Sequence, residues 1–526
     1  MNQLPTRKTA RGDEIETRPL YVEEWLDSLP YIDFKKTSIL LYDALVATNK
    51  ATIKSSTRIE LIELYNRPYQ YYVESQIKAG AQHTLQTIDA MQTQVSQMKQ
   101  IAVALSFSFK LAFDTALNKK TLWKKTKPPV EAMLMSMNYL SHALVFSFLE
   151  YSPVPKNVWQ QLNFIYDFAE SIQCHKKSYA IPGANNKNIN TTIDHIYKRI
   201  IMASLVDPHH LPFGAIWEIY EQLDSWAEYT QIHPLKTVST TTGYFAFDLK
   251  SDSKPIPLEK FNQENANENC RLLDSTPLEN LIQKQIDLLQ KGQQIDKSIV
   301  LSPFYAKSLL AHMLKAWRLP PKRYFPRNAK SGQLNIVTGI GAIYYFLNDG
   351  KAFRNIAIAS DDEEIDISET RTETPPQINY IPECWRIVDE GTEGYAIIKD
   401  DKLKKAIRVG DLTGVNVQDN IWSIAVVRWL MVSRGIHKVG LQIISETAKP
   451  IALRACAGSK SDREFKPGFL INHVNNSNMF SIIAEKGLYM ADRELEIKRG
   501  EKTEKIVAGS MHDSSISYEI FKYNSM

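Results

Sequence analysis

Arg323 and Arg327 stand four residues apart in RLPPKRYFPR (318–327), with Lys322 beside them. Further along comes D-E-G-T-E-G, residues 389–394, between two β-prone runs, Trp385–Val388 and Tyr395–Ile398. A guanidinium is permanently charged, and its planar fork of donors matches phosphate oxygens and the O6/N7 edge of guanine two bonds at a time. A carboxylate carried on a glycine-containing turn suits the N1–H and exocyclic amino donors of guanine. Together the two groups are complementary to a guanine nucleotide bearing phosphates. Each alone has a plainer reading: RxxxR recurs by chance, and a polar hairpin turn ordinarily does no more than reverse the chain.

Other candidate chemistry is thinner. No GxSxG elbow, HExxH, Walker A or GxGxxG fingerprint occurs, so no catalytic residue and no cofactor are expected. Asp207-Pro208-His209-His210 sets a carboxylate beside two histidines. Such a group at a helix junction is more often capping and packing than a metal site, and no metal is expected. Gly339-Ile340-Gly341 lacks a following phosphate loop and reads as a bulge in a β-run. Lys119, Lys120, Lys124, Lys125 and Lys127 surround Trp123. An anion or nucleic-acid patch is one reading; a charged interhelical loop ending at Pro128-Pro129 is the other, and nucleic acid is not the expected partner.

The elements that must position these residues follow from pattern. A chain of 526 residues with 44% hydrophobic and 23% charged residues is globular and holds two or three domains. A net charge of +4 is too mild to argue for nucleic acid. Cys174, Cys270, Cys384 and Cys456 form no CxxC pair and read as reduced thiols. The N-terminus has no apolar signal region, and windows such as residues 101–113 are too short to span a bilayer, so a cytoplasmic protein is expected. Residues 1–18 read as a loose basic arm with Arg7, Lys8 and Arg11. Residues 19–318 read as an all-α domain, with a break near 235–275 where TGYFAFDL (242–249) has strand character. Its clearest segment carries Ile88, Met91, Val95, Met98, Ala102, Leu105 and Phe109 at alternating spacings of three and four: a bundle core stripe or a partner-binding face. Further helices are expected at 37–49, 58–78, 130–149, 157–171, 189–204, 213–231, 277–291 and 303–317.

After residue 318 the hydrophobic period changes to two. LNIVTGIGAIYYFL, CWRIVD, GYAIIK, WSIAVVRWLMV, KVGLQIIS and PIALRAC read as strands of one β-barrel over 319–455, interrupted by an acidic loop at 359–377. Residues 456–526 read as a β-rich extension or a second small barrel. The fold class is α+β and multidomain: an all-α N-terminal region, then a C-terminal antiparallel β-barrel with extra strands.

An RxxxR leading into a small β-barrel, followed by [DN]xSxxG between early strands, resembles the signature of PilZ domains. WSIAVVRWL and KVGLQIIS resemble that family's central strand and the glycine-containing strand after it. The resemblance covers about residues 318–455, and the helical region ahead of it is similar to a group of large bacterial PilZ-like proteins. It implies a six-stranded barrel that binds cyclic di-GMP and passes the signal to a protein partner without catalysis. Arg323 and Arg327 would clamp phosphates and guanine faces, Asp389 would accept from a guanine edge, and Gly394 would supply the bend. The sequence departs in two places: Gly391 stands where the family has serine, and the acidic insert lengthens the interval between the motifs. The alternative is a PilZ-like scaffold that keeps the fold, binds protein and takes no nucleotide.

Overall fold

The computed structural model describes residues 6–9, 12–81, 88–118, 130–182, 188–301, 306–318, 328–353, 380–401, 403–417, 421–457, 464–473, 476–500, 502–515 and 517–525. Arg323, Arg327, Arg11, the lysine run 119–127 and the acidic insert 359–377 lie outside the described residues. The chain divides into two compact units, residues 1–322 and 323–526.

The first unit opens with a two-stranded hairpin, β1 (Thr6–Thr9) and β2 (Gly12–Ile15), where the sequence suggests a loose arm. Helices α1 (Pro19–Asp27), α2 (Phe34–Lys50), α3 (Ser55–Ala81), α4 (Ile88–Asn118), α5 (Val130–Leu149) and α6 (Val158–Ser171) follow. A second hairpin, β3 (Tyr179–Pro182) with β4 (Asn188–Thr191), precedes α7 (Ile193–Leu205) and α8 (Ala215–Trp226). The expected helix 189–204 therefore starts later, where the Thr192 hydroxyl accepts from the His195 amide at 2.9 Å and caps α7.

From Val95 onward the stripe on α4 is core; the side chains of Ile88 and Met91 lie outside those described. Met98, Ala102, Leu105 and Phe109 are buried, and α4 packs against α2, α3 and α5. Helix α5 is buried along its whole length except at Glu131, as an element apolar all round must be. It is the one described helix long and apolar enough to cross a membrane, and 94% of that window is buried inside the unit. The strand character near 245 grows into a four-stranded antiparallel sheet of β5 (Gln231–Pro234), β6 (Tyr244–Asp248), β7 (Ile256–Pro257) and β8 (Cys270–Asp274), in order β5-β8-β6-β7. Helices α9 (Thr276–Gln290) and α10 (Ala306–Arg318) complete the unit.

The second unit is two closed six-stranded barrels. The first comprises β9 (Asn328–Thr338), β10 (Glu383–Gly391), β11 (Gly394–Lys399), β12 (Leu412–Asn416), β13 (Trp422–Ser433) and β14 (Ile436–Ser445). The second comprises β15 (Ala448–Ala455), β16 (Lys466–His473), β17 (Asn476–Ala484), β18 (Glu494–Arg499), β19 (Lys502–Ser514) and β20 (Glu519–Ser525). Around the rings the orders are β9-β10-β11-β14-β13-β12 and β15-β16-β17-β20-β19-β18, the same antiparallel circuit traced twice. Residues 448–455, grouped by pattern with the first barrel, pair with β16 and β18 and belong to the second.

One β-run is a helix. After Thr338 the chain turns at Gly339, whose φ of +93° favours glycine, and Ile340–Leu347 form α11. Its Ile340 and Ile343 share a core with Trp422, Ile424 and Val426 of the first barrel and with Phe469, Ile483 and Ile520 of the second. Burial on several sides gives a continuous apolar stretch, in which a short helix and a strand look alike. The helix-then-barrel expectation holds at the level of fold class: helices first, closed antiparallel barrels after.

Candidate functional site

The polar turn of the sequence reading is shorter than it looks. Strand β10 runs on through Asp389 and Glu390 to Gly391, which pairs with Gly394, so only Thr392 and Glu393 form the turn. Asp389 thus sits on a strand, not on a turn. The register slips between Ile387 and Asp389 toward both neighbours: Val388 is the extra residue toward β11, while toward β9 the extra residue lies on β9 between Ala329 and Gly332.

The bulge places Asp389 in a particular lateral row. Ala329, Asp389, Ala396, Gly440 and Trp429 are successive cross-strand partners on β9, β10, β11, β14 and β13. Partners directly opposite in an antiparallel sheet share a face. Two positions along, Arg386, Ile398 and Lys438 form a parallel row whose Arg386 is exposed, so this is the outer face. Ile397 and Val439, one step away, are fully buried inside the barrel. A second bulge, at Arg428 between Val427 and Trp429, swings the half-buried Trp429 into the row. Its indole lies across Gly440: Nε1, Cε2 and Cδ1 fall 1.9, 2.3 and 2.4 Å from where a Cβ would be. The result is a carboxylate and an indole on one outer row, with two small, buried residues, Ala396 and Gly440, between them.

Gly394 closes the same end. A Cβ there would meet the Leu441 carbonyl oxygen at 1.9 Å, so only glycine lets β11 pass this close to β14. The Glu393 carbonyl accepts from Ile443 N at 2.7 Å, pinning the turn to β14. Lys330 Nζ reaches Glu390 Oε2 at 2.6 Å and its hydrogen bond lowers the Glu390 carboxyl. That pairing masks one of the local negative charges. Tyr395, paired with Glu390 across the hairpin, is pushed up to about 12, first by burial and then by the Glu390 charge.

Of the residues marked in the sequence, Asp389, Gly391 and Gly394 come together at this end of the β10–β11 hairpin. Arg323 and Arg327 are outside the described residues, but Arg327 directly precedes Asn328, which pairs with Glu390, while Ala329 pairs with Asp389. The chain thus enters the barrel beside the hairpin motif. Trp429 was missed by the sequence reading. Its signal was the break in alternation at Val426-Val427-Arg428-Trp429, which marks a bulge.

Asp207 and the two histidines after it lie in the helical unit. His210 Nδ1 lies 2.9 Å from Asp207 Oδ2, and His209 stands edge-on to Phe148. Among the described residues no group of three His, Cys, Asp or Glu could hold a metal ion.

Comparison with known proteins bears on the whole chain. Residues 21–237 match the family described as the N-terminal domain of the cyclic-di-GMP receptor FimW. Residues 244–379 and 365–450 match the one described as that receptor's middle PilZ domain. The chain is similar to the cyclic-di-GMP receptor FimW of Pseudomonas aeruginosa, at 19% identity over 99% of this chain and 93% of the relative. With these matches lying side by side, and a closed six-stranded barrel carrying the hairpin motif, the protein belongs to the PilZ-domain family as a divergent member with a large helical N-terminal region.

Proposed function

We propose that the protein is a cyclic di-GMP receptor without catalytic activity, and that ligand occupancy is relayed to a protein partner through the helical unit. The observation that carries the reading is the row Ala329–Asp389–Ala396–Gly440–Trp429, entered by the chain directly after the RxxxR motif. A guanine stacked on the outer face of the Trp429 ring, which itself lies across Gly440, would donate its N1–H and amino protons to Asp389. Such stacking is worth about 1–3 kcal/mol per base. Arg323 and Arg327 would supply the two positive charges that a dianionic ligand needs. The relative's name supports the same ligand.

Relay through the helical unit rests on its surface. A pocket of about 310 Å³ opens between α4, α5 and α6, lined by Phe113, Met133, Phe164 and Ile165 among others, with Phe164 half exposed. Val103 and Phe107 add exposed apolar area on α4. A cytoplasmic location belongs to the proposal and accords with four separate, unpaired cysteines.

Calorimetric titration of the intact protein with cyclic di-GMP is the test. Saturable heat supports the receptor. Absence of heat or saturation at high micromolar ligand leaves the ligand-free scaffold in its place.

A further inference from the structure

A chain of side-chain hydrogen bonds leaves the hairpin turn and ends on the second barrel. Gln442 Nε2 donates to Glu393 Oε2 at 3.4 Å, and Arg428 Nε donates to Gln442 Oε1 at 2.7 Å. Arg428 Nη2 then donates to Asp513 Oδ2 at 3.1 Å, which also accepts from the Tyr518 hydroxyl at 3.1 Å. Gln442 is the cross-strand partner of Gly394, and Arg428 is the bulged residue beside Trp429. The first two links therefore join the hairpin turn to the residue beside the Trp429 wall.

The donor inventory fixes the direction of the chain. A guanidinium only donates, so Arg428 forces the Gln442 amide oxygen toward itself and turns the amide nitrogen to Glu393. Asp513, on β19 of the second barrel, in turn holds the guanidinium in place. Without that anchor Arg428 is a long side chain, 40% exposed, with rotamer freedom that weakens its hold on Gln442.

We propose that Gln442 and Arg428 are positioning residues for the ligand cleft, and that Asp513 lends them the second barrel as a fixed support. This rests on the cyclic di-GMP reading above and adds to it: the second barrel takes part in ligand affinity without touching ligand.

The test is a calorimetric titration with cyclic di-GMP on intact variants, with melting curves recorded alongside. Gln442→Glu keeps the bond to Arg428 but faces Glu393 with a second carboxylate, so binding should weaken about tenfold. The double variant Glu393→Gln with Gln442→Glu exchanges donor and acceptor and should restore affinity to near that of the natural protein. Asp513→Ala should weaken binding in the natural background and add nothing once Gln442→Glu is present. Natural affinity in Gln442→Glu, no rescue in the double variant, or additive losses with Asp513→Ala each overturn the inference. If the unaltered protein itself shows no saturable binding, the receptor reading has failed instead, so the two failures are told apart.

Discussion

Removing the indole at 429 is the sharpest probe of the cleft. Trp429→Ala deletes the wall opposite Asp389 and uncovers Gly440, over which three ring atoms now lie. If a guanine stacks there, the loss is about 1–3 kcal/mol, or roughly a five- to hundredfold rise in Kd. Trp429→Phe keeps an aromatic face of smaller area and should lose only part of that. Gly440→Ala attacks the same wall from below. Its methyl would fall 1.9 Å from the indole nitrogen, so the ring must leave its seat while every ring atom remains in the protein. Titration calorimetry reads all three against the unaltered protein, with melting curves to separate lost affinity from lost fold. The expected order of Kd is natural, then Trp429→Phe, then Gly440→Ala and Trp429→Ala together. Natural affinity in a folded Trp429→Ala protein would refute the row of residues 329, 389, 396, 440 and 429 as the binding surface.

Arg323→Ala or Arg327→Ala should weaken cyclic di-GMP binding by roughly ten- to a hundredfold, since each removes a charge-assisted pair worth about 1.5–3 kcal/mol; equal affinity in the same titration would place the phosphates elsewhere. Gly391→Ser, which restores the hydroxyl of the family motif, should tighten binding in that assay. Met98→Asp puts an unpaired charge into the α4–α5 core and should cost several kcal/mol in a denaturant melt, whereas a partner-facing stripe would tolerate it. His142 is buried with its Nδ1 2.9 Å from the Tyr69 hydroxyl, and burial lowers its pKa to about 3. The unfolded chain binds the proton near pH 6.5 and the folded one does not, so stability should fall by a few kcal/mol as pH drops from 6.5 toward 3. His142→Gln, which keeps an acceptor for Tyr69 without titrating, should flatten that slope in melts taken across the range.

Much of the architecture was legible because local periodicity and tertiary burial agree. The α4 stripe is one-sided, so spacing singled out Met98, Ala102 and Leu105 as a core or partner face, and their burial makes it core. The limits of α5 could be read directly because Pro128-Pro129 and the polar stretch after Leu149 bound a continuous apolar run. Reading stopped where burial is two-sided or where register decides. Ile340–Leu347 is apolar throughout because it packs against both barrels, and no period separates helix from strand there. Asp389 and Trp429 share one row only because Val388, toward β11, and Arg428, toward β14, are each an extra residue, a count that pairing reveals and composition does not.

The placement of α11 has a consequence for how the protein folds. Val337, Ile340, Leu412 and Trp422 before residue 446 bury themselves together with Phe469, Ile471, Tyr518 and Ile520 after it, in one continuous core. Only Glu446 and Thr447 connect the barrels. Cooperative units of unfolding follow buried contacts rather than strand circuits. The two barrels should therefore lose structure in a single transition, with matched amide-exchange protection on either side of residue 446. A fragment ending at Ser445 would uncover the apolar face of α11 together with Trp422 and Ile424, a patch of the kind that drives aggregation. The smallest segment that folds around the hairpin motif extends to the end of β20.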